Sequence, residues 1–225
     1  TGDGRIKKIR SLPLAMKPSV YRPLEVSRSL LKSSAERLSE DYPMRELHAA
    51  CFDFTSTNVL PYSHPDRQKV VFFPGSTIGN FEPEMAIDLL KNIASMVGSG
   101  GGLLIGVDLK KDESILTAAY SDSSGVTAAF NYNLLERINK DLDANFELDE
   151  FDHHAAYNNA HGRMESHLVS RCNQTVTINS HLFEFSEGES IQTENSYKYS
   201  NDEFQTLVSQ AGFSNKKVWT DKNKL

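Results

Sequence analysis

A polar turn follows the most apolar segment of the chain. The run Val-Val-Phe-Phe at 70–73 precedes Pro-Gly-Ser-Thr-Ile-Gly-Asn-Phe at 74–81. A glycine such as Gly75 allows a ligand to approach the backbone, and Asn80 offers a carbonyl acceptor and an amide donor. We therefore predict a binding turn in which Gly75 approaches a cofactor and Asn80 binds a ligand. The alternative is that Asn80 only caps the helix that follows.

Two acidic side chains near the start of the chain suit the recognition of a nucleoside. Glu25 follows the Gly-Asp-Gly turn at 2–4 by about 20 residues, the spacing at which an acidic residue binds ribose hydroxyls in α/β folds. Asp53 can accept a hydrogen bond from an adenine amine while Phe54 lies against the ring. Each residue also fits a surface loop, a solvated strand end or a core position. Their places at the ends of successive predicted strands favour one shared site.

A carboxylate and a hydroxyl occur together near the end of the chain. Glu194 and Ser196 are two residues apart at the end of a predicted strand, so their side chains share a face if the extended backbone continues. Such a pair suits an imidazole ring, because the carboxylate accepts a hydrogen bond from one nitrogen and the hydroxyl bonds the other. The alternative is a strand end that faces solvent.

The elements that must position these residues alternate in the first half of the chain. The hydrophobic periodicity indicates strands and helices in turn, with strands at 20–26, 47–52, 70–73 and 103–107 and helices at 27–42 and 82–97. This order predicts a Rossmann-like α/β fold with a parallel sheet, in which 70–73 is buried on both faces. Ligands of such sheets bind at the carboxyl ends of the strands, where the polar residues above are found.

The pattern changes after about residue 110. Two helical segments at 112–120 and 124–142 precede a predicted meander, with strands at 163–171, 174–178, 181–185 and 190–195. A helix at 201–212 and a strand at 216–220 return to the α/β order. We therefore expect a Rossmann-like domain formed by 1–109 and 197–225, interrupted by an inserted α+β substrate-binding subdomain at 110–196.

Composition argues against several functional classes. The 225 residues carry 24 Lys and Arg against 30 Asp and Glu, a net charge of −6, which disfavours nucleic acid as a partner. No apolar run reaches the ~20 residues of a membrane helix. Cys51 and Cys172 form no C-x-x-C motif, which indicates a reducing, cytoplasmic setting. The histidines lack the spacing of metal ligands, so no metal is predicted. We expect a cytoplasmic monomer acting on a small molecule.

Taken together, these segments resemble the S-adenosylmethionine-dependent histidine Nα-methyltransferases of ergothioneine biosynthesis. The resemblance covers essentially the whole chain. Its most specific parts are Gly-Ser-Thr-Ile-Gly-Asn at 75–80 and Thr-Ala-Ala-Phe-Asn at 127–131, supported by segments at 2–10, 106–112 and 193–196. It implies S-adenosylmethionine as cofactor and L-histidine as substrate.

The resemblance also implies roles for individual positions. The cofactor would be held by Gly2, Lys8, Glu25, Asp53 and Phe54. Asn80 and Tyr120 would be catalytic residues that grip the carboxylate and amine end of the amino acid, while Glu194 and Ser196 would bind its imidazole. Asn195 would also be a substrate-binding residue. The family usually has Asp where this chain has Glu25. It also carries an N-terminal segment with a first strand before the glycine turn, which we expect this chain to lack.

The reaction implied is methyl transfer to the α-amine of L-histidine in up to three rounds. It is an in-line displacement, and positioning of the reactants can supply roughly 7–11 kcal/mol of barrier lowering without a covalent intermediate. Tyr120 would orient the amine or relay a proton through water. Two alternatives stay open: an N-methyltransferase of an indole-bearing amino acid, and a degenerate, non-catalytic module that only binds S-adenosylmethionine.

Overall fold

A computed structural model describes residues 18–41, 46–51, 53, 55 and 67–222. The chain divides into two compact units, 1–67 and 68–225. Three of the predicted cofactor residues, Gly2, Lys8 and Phe54, lie outside the described residues. Within the described part, no helix has both the length and the apolar character needed to cross a membrane.

The first unit contains short parallel strand pairs and a helix. Strand β1 (Val20–Tyr21) pairs with β3 (Glu46–Leu47), and β2 (Leu24–Glu25) pairs with β4 (Ala50–Cys51). The predictions of single strands at 20–26 and 47–52 are therefore wrong, since each segment forms two strands. Pro23 lies between β1 and β2 and has no N–H to donate, so a hydrogen-bond ladder cannot run continuously from one strand into the next. Helix α1 (Arg28–Asp41) follows and buries Leu31 and Leu38.

The second unit begins with a parallel strand pair that confirms the predicted β–α–β order. Strand β5 (Val70–Phe73) pairs with β6 (Gly102–Ile105), and a 3₁₀ turn (Thr77–Asn80) and helix α2 (Pro83–Val97) connect them. Val70 is 45% exposed, so burial of β5 on both faces is not observed at that end. Met85 shares the three- and four-residue spacing of the apolar residues in α2 but is 55% exposed. The buried stripe instead consists of Ala86, Leu89, Leu90, Ile93 and Val97.

The remaining helices begin at residues suited to capping. Helix α3 (Glu113–Tyr120) starts after Asp112, whose carboxylate accepts a hydrogen bond from the Ser114 N–H at 2.8 Å. Helix α4 (Val126–Asp141) follows Gly125, and α5 (Asn201–Gln210) starts with a capping box between Ser200 and Glu203.

Residues 216–220, which the structure describes, form no strand. That prediction is wrong, and the apolar Trp219 within this segment is 67% exposed.

An antiparallel sheet follows α4. Its strands lie in the order β11 (Ser190–Tyr197), β8 (Arg163–Ser170) and β7 (Phe151–Asn158), and a separate hairpin pairs β9 (Gln174–Ile178) with β10 (His181–Phe185). The bounds of β9 and β10 agree with the sequence prediction, whereas β7 was not predicted. The core beneath these strands consists of Leu135, Phe146, Phe151, Leu168 and Val176.

Gly79 brings the 3₁₀ turn into direct contact with β11. A Cβ at Gly79 would lie 2.7 Å from the Tyr197 carbonyl oxygen and 3.3 Å from its nitrogen. These are backbone atoms of a paired strand, so they cannot move aside as a flexible side chain would. The absence of a side chain at Gly79 therefore permits the packing that places Asn80 beside this edge of the antiparallel sheet.

We expect Gly79→Ala to lower the free energy of unfolding by about 1–3 kcal/mol, the usual cost of overpacking a close contact. Urea denaturation would measure the change. The matched control is Gly102→Ala, where the added Cβ would meet the nearest atom, Val70 Cγ2, at an ordinary 3.7 Å. Equal stability of the two variants would contradict the account of the contact with Tyr197.

Candidate active site

A β-bulge lies immediately before the predicted ring-binding pair. Gln192 of β11 pairs with His167, and Glu194 pairs with Ser166, which leaves Thr193 as an extra residue. The Thr193 hydroxyl lies 2.5 Å from Asn131 Oδ1 and 3.0 Å from the Ser166 carbonyl oxygen. A bulge of this kind redirects the side chains that follow it. The buried Asn131 of α4 therefore supports the local geometry at Glu194.

Ser196, Tyr120 and Lys198 form a cluster in which Ser196 and Lys198 are buried and Tyr120 is half-buried. The Tyr120 hydroxyl donates to Ser196 Oγ at 2.7 Å. The Lys198 ammonium donates to Ser196 Oγ at 2.7 Å and to the Tyr120 oxygen at 2.9 Å, and its nitrogen lies 4.8 Å from the centre of the Tyr120 ring. The structure thus brings together Tyr120 and Ser196, which are 76 residues apart in the sequence.

The cluster continues to the carboxyl end of β6. Asp108 forms an ion pair with Lys198 at 3.0 Å and with Lys111 at 2.6 Å. Partial burial acts to raise the pKa of Asp108, but the hydrogen bonds and positive charges of Lys111 and Lys198 hold it below its usual range. Asp108 is therefore ionised at neutral pH and provides the counter-charge to the buried ammonium group.

Glu194 lies on the same face of β11 as Ser196, because alternate residues of a strand point the same way. Lys198 follows directly after the strand and donates to Ser196 Oγ. Burial raises the pKa of its carboxyl above the usual range, and the positive charge of Lys198 opposes that rise. A carboxylate that has lost part of its hydration favours any ligand that donates a hydrogen bond to it. This face of β11 can therefore bind a polar ring.

Asn80 and Gly75 lie on the turn after β5. Asn80 is exposed at the end of the 3₁₀ turn, and the N-cap of α2 is Glu82, so the reading of Asn80 as a helix cap is wrong. Gly75 has a φ of 83° and precedes Ser76, whose hydroxyl accepts a hydrogen bond from the Asp108 N–H at 2.8 Å. This bond fastens the turn to the carboxyl end of β6.

Asn195 lies on the opposite face of β11 from Glu194 and Ser196. Its side-chain amide donates to Glu82 Oε1 at 3.2 Å, and its carbonyl oxygen accepts from Gln192 at 2.7 Å. Arg163 reaches the same Glu82 oxygen at 2.8 Å. Asn195 therefore belongs to the contact between β11 and the start of α2, and its role in substrate binding stays a prediction.

The first unit carries the other predicted cofactor residues that the structure describes. Glu25 ends β2, and its Oε1 accepts hydrogen bonds from the Val26 and Ser27 N–H groups at 3.0 and 3.3 Å. Asp53 follows β4, and hydrogen bonds from Thr55 lower the pKa of its carboxyl. Both carboxylates lie at the carboxyl ends of parallel strands, as predicted.

Metal-binding clusters are not found among the described residues. The adjacent His153 and His154 differ in burial, as expected for neighbours on a strand, and Cys51 and Cys172 are free thiols.

Lys198 and Asp108 were missed as site residues by the sequence analysis. Lys198 is two residues after Ser196, and that spacing alone places it on the same strand face. Asp108 follows a buried strand of the parallel sheet, where ligand-binding residues are commonly found. The sequence therefore held a signal for each residue, although it held none for the 3.0 Å contact between them.

Comparison with known proteins identifies the family of this chain. Residues 1–225 match the family described as "Histidine-specific methyltransferase, SAM-dependent". The histidine N-alpha-methyltransferases of Mycolicibacterium smegmatis and Mycobacterium tuberculosis are 36% and 35% identical over 98% of this chain and 70% of their own length. Ergothioneine biosynthesis protein 1 of Neurospora crassa is 28% identical over 97% of this chain and 26% of its own length. The chain belongs to the family of S-adenosylmethionine-dependent, histidine-specific methyltransferases.

Proposed function

We propose that the protein transfers methyl groups from S-adenosylmethionine to the α-amino group of L-histidine, in up to three rounds, as a step of ergothioneine biosynthesis. The observation that carries this proposal is the face of β11 on which Glu194 and Ser196 lie together, with Tyr120 in contact with Ser196 at 2.7 Å. Family membership and the names of the relatives agree with it.

The ring of histidine would bind between Glu194 and Ser196. A neutral imidazole has one N–H donor and one acceptor nitrogen. The Glu194 carboxylate would accept from the N–H, and the Ser196 hydroxyl would bond the other nitrogen. An apolar ring, or an indole with its single N–H donor, would leave one of these polar groups without a partner, which costs affinity.

The amine and carboxylate end would be held by Asn80 and Tyr120. Asn80 is exposed on its turn, so its amide is accessible to a ligand. The Tyr120 hydroxyl occupies a fixed position, since it is bonded to both Ser196 and Lys198. Held in this way, the neutral α-amine would be oriented toward the methyl group that it attacks, and no strong base would be needed. The gain in rate would come from this positioning of the two reactants.

The cofactor would be held by Gly2, Lys8, Glu25, Asp53, Phe54 and Gly75. Of these residues, Gly75 gives the clearest test of whether the described residues leave room for the cofactor. Its positive φ and the absence of any described atom within 4 Å of a Cβ position leave open space at the carboxyl end of β5, where cofactors of α/β folds bind. S-adenosylmethionine, when bound, supplies an electrophilic methyl group on a sulfonium centre.

The domain division proposed for this function is the one expected from the sequence. A Rossmann-like domain of 1–109 and 197–225 would bind the cofactor, and 110–196 would form the substrate-binding subdomain. The antiparallel sheet of β7, β8 and β11 supports the second assignment, because nearly all of it lies within 110–196. The protein is further proposed to act as a cytoplasmic monomer without nucleic-acid or membrane partners.

Mass spectrometry of the full-length protein with L-histidine and methyl-labelled S-adenosylmethionine tests the proposal. We expect products heavier than histidine by one, two and three labelled methyl groups. L-Tryptophan is the matched control substrate and is expected to remain unmodified. Methylation of tryptophan in preference to histidine would contradict the ring assignment. Binding of S-adenosylhomocysteine without any methylated product would indicate a non-catalytic module.

A further inference from the structure

Lys198 is a buried cation whose three N–H donors are all used. Its side chain is 1% exposed, and it donates to Tyr120, Ser196 and Asp108 at 2.9, 2.7 and 3.0 Å. An ammonium group has three donors and no acceptor. With one partner for each donor, the ammonium has a single satisfied orientation in the cluster.

This arrangement determines how Ser196 can bond a ligand. Ser196 Oγ accepts hydrogen bonds from both Lys198 and Tyr120. A hydroxyl oxygen has two acceptor lone pairs and one donor hydrogen, so both acceptor positions are occupied. The Ser196 hydrogen must then point away from the cluster. Ser196 is therefore restricted to donating when it meets a further polar group.

We propose that Lys198 is a positioning residue that holds Ser196 as a hydrogen-bond donor and thereby makes the site select the neutral imidazole ring over the imidazolium ion. The inference rests on the proposed function. A neutral imidazole has a nitrogen that accepts from Ser196, whereas an imidazolium ion has N–H donors at both nitrogens. The second of these donors would face the Ser196 hydrogen, and the ion would also meet the positive charge of Lys198.

The other charged groups around Lys198 leave this preference in place. Glu194 on the same strand face supplies one negative charge near the ring, and Asp108 is shared between Lys198 and Lys111. Lys110, which lies near Gly162 beside the cluster, forms an ion pair with Glu203 of α5. Glu194 alone would favour an imidazolium ion. The preference for the neutral ring is therefore assigned to Lys198 and Ser196 and not to the carboxylate.

Calorimetric titrations of the full-length protein with S-adenosylhomocysteine bound would test the proposal. The ligands are L-histidine and 1,2,4-triazolylalanine, whose ring stays unprotonated between pH 5.5 and 8. The quantity of interest is the histidine affinity divided by the triazolylalanine affinity, because any effect of Glu194 ionisation that is the same for the two neutral rings drops out of this ratio. For wild type, this ratio is expected to fall by about 10-fold from pH 8 to pH 5.5, as a ring with pKa ~6.5 becomes protonated.

In Lys198→Met the ratio of histidine affinity to triazolylalanine affinity is expected to fall by less than 3-fold from pH 8 to pH 5.5. The reason is that the Ser196 hydroxyl is then able to rotate and accept from an imidazolium N–H. Lys91→Met, which removes an exposed lysine of α2, is the control and should keep the wild-type ratio. Ser196→Ala removes the hydroxyl but leaves the positive charge of Lys198, so its ratio is expected to fall by less than in wild type, which tests the part of the hydroxyl even if Lys198→Met fails to fold.

The outcomes separate this inference from the proposed function. A wild-type protein that methylates histidine but whose affinity ratio is flat, or rises toward pH 5.5, overturns the role of Lys198 alone. A Lys198→Met or Ser196→Ala variant that keeps the 10-fold fall also overturns it. A wild-type protein that neither binds nor methylates histidine overturns both.

Discussion

Glu194→Gln is expected to lower the affinity for L-histidine by about 10- to 150-fold, since a hydrogen bond to a charged group contributes roughly 1.5–3 kcal/mol. The affinity for S-adenosylhomocysteine is expected to stay within about twofold, because Glu194 lies on the face proposed for the ring. The substitution keeps the shape of the side chain and removes its charge. Isothermal titration of both ligands would measure the two affinities in the full-length protein.

Glu194→Gln is expected to stabilise the folded protein, although it lowers the affinity for L-histidine. Burial raises the pKa of Glu194 in the folded protein, so the folded state binds this proton more tightly than the unfolded state does. The contribution of Glu194 to stability therefore falls as the pH rises through its folded pKa. Glu194→Gln should remove this loss, so that the ligand-free variant is at least as stable as wild type at pH 8.

Glu184→Gln on the exposed strand β10 is the matched control and should change neither ligand affinity nor stability. A loss of affinity for both ligands in Glu194→Gln, together with a lower melting temperature, would indicate general unfolding and would count against the ring-binding role.

Tyr120→Phe is expected to lower kcat for histidine methylation by about 10- to 100-fold, within the range typical of a group that orients a reacting atom. The hydroxyl it removes donates to Ser196 and accepts from Lys198. Loss of this group frees one donor of Lys198 and leaves the amine without its proposed partner. Steady-state kinetics would measure kcat, and titration with S-adenosylhomocysteine should show unchanged cofactor affinity.

Tyr132→Phe is the matched control for this prediction. Its hydroxyl also makes two hydrogen bonds in the second unit, to the Phe151 carbonyl at 2.8 Å and from the His153 N–H at 3.1 Å. It should lower stability by about 0.5–1.5 kcal/mol per bond with turnover close to wild type. Unchanged turnover in Tyr120→Phe would remove Tyr120 from the mechanism.

Local pattern was sufficient to predict several elements and one part of the site. Helix α2 was predicted because apolar residues such as Leu89 and Ile93 recur at helical spacing, and β9 and β10 because short alternating runs are bounded by turn residues. The common face of Glu194 and Ser196 follows from strand alternation alone.

Features that depend on distant partners could not be predicted. Lys198 lies on a predictable face, but its pairing with Asp108 depends on how β11 meets the end of β6. The bulge at Thr193 depends on the register with β8 and on Asn131, which is 62 residues earlier. The segment at 216–220 shows the converse case, since its apolar alternation resembles a strand although no neighbour pairs with it among the described residues.

Glu194 and Ser196, the pair proposed to bind the ring, belong to the antiparallel sheet, whereas the turn with Gly75 and Asn80 follows the parallel strand β5. Substitutions in β11 would therefore be enough to change the preferred amino acid during evolution. The turn after β5 could be inherited unaltered. New members with other substrates would be expected to diverge first in β11.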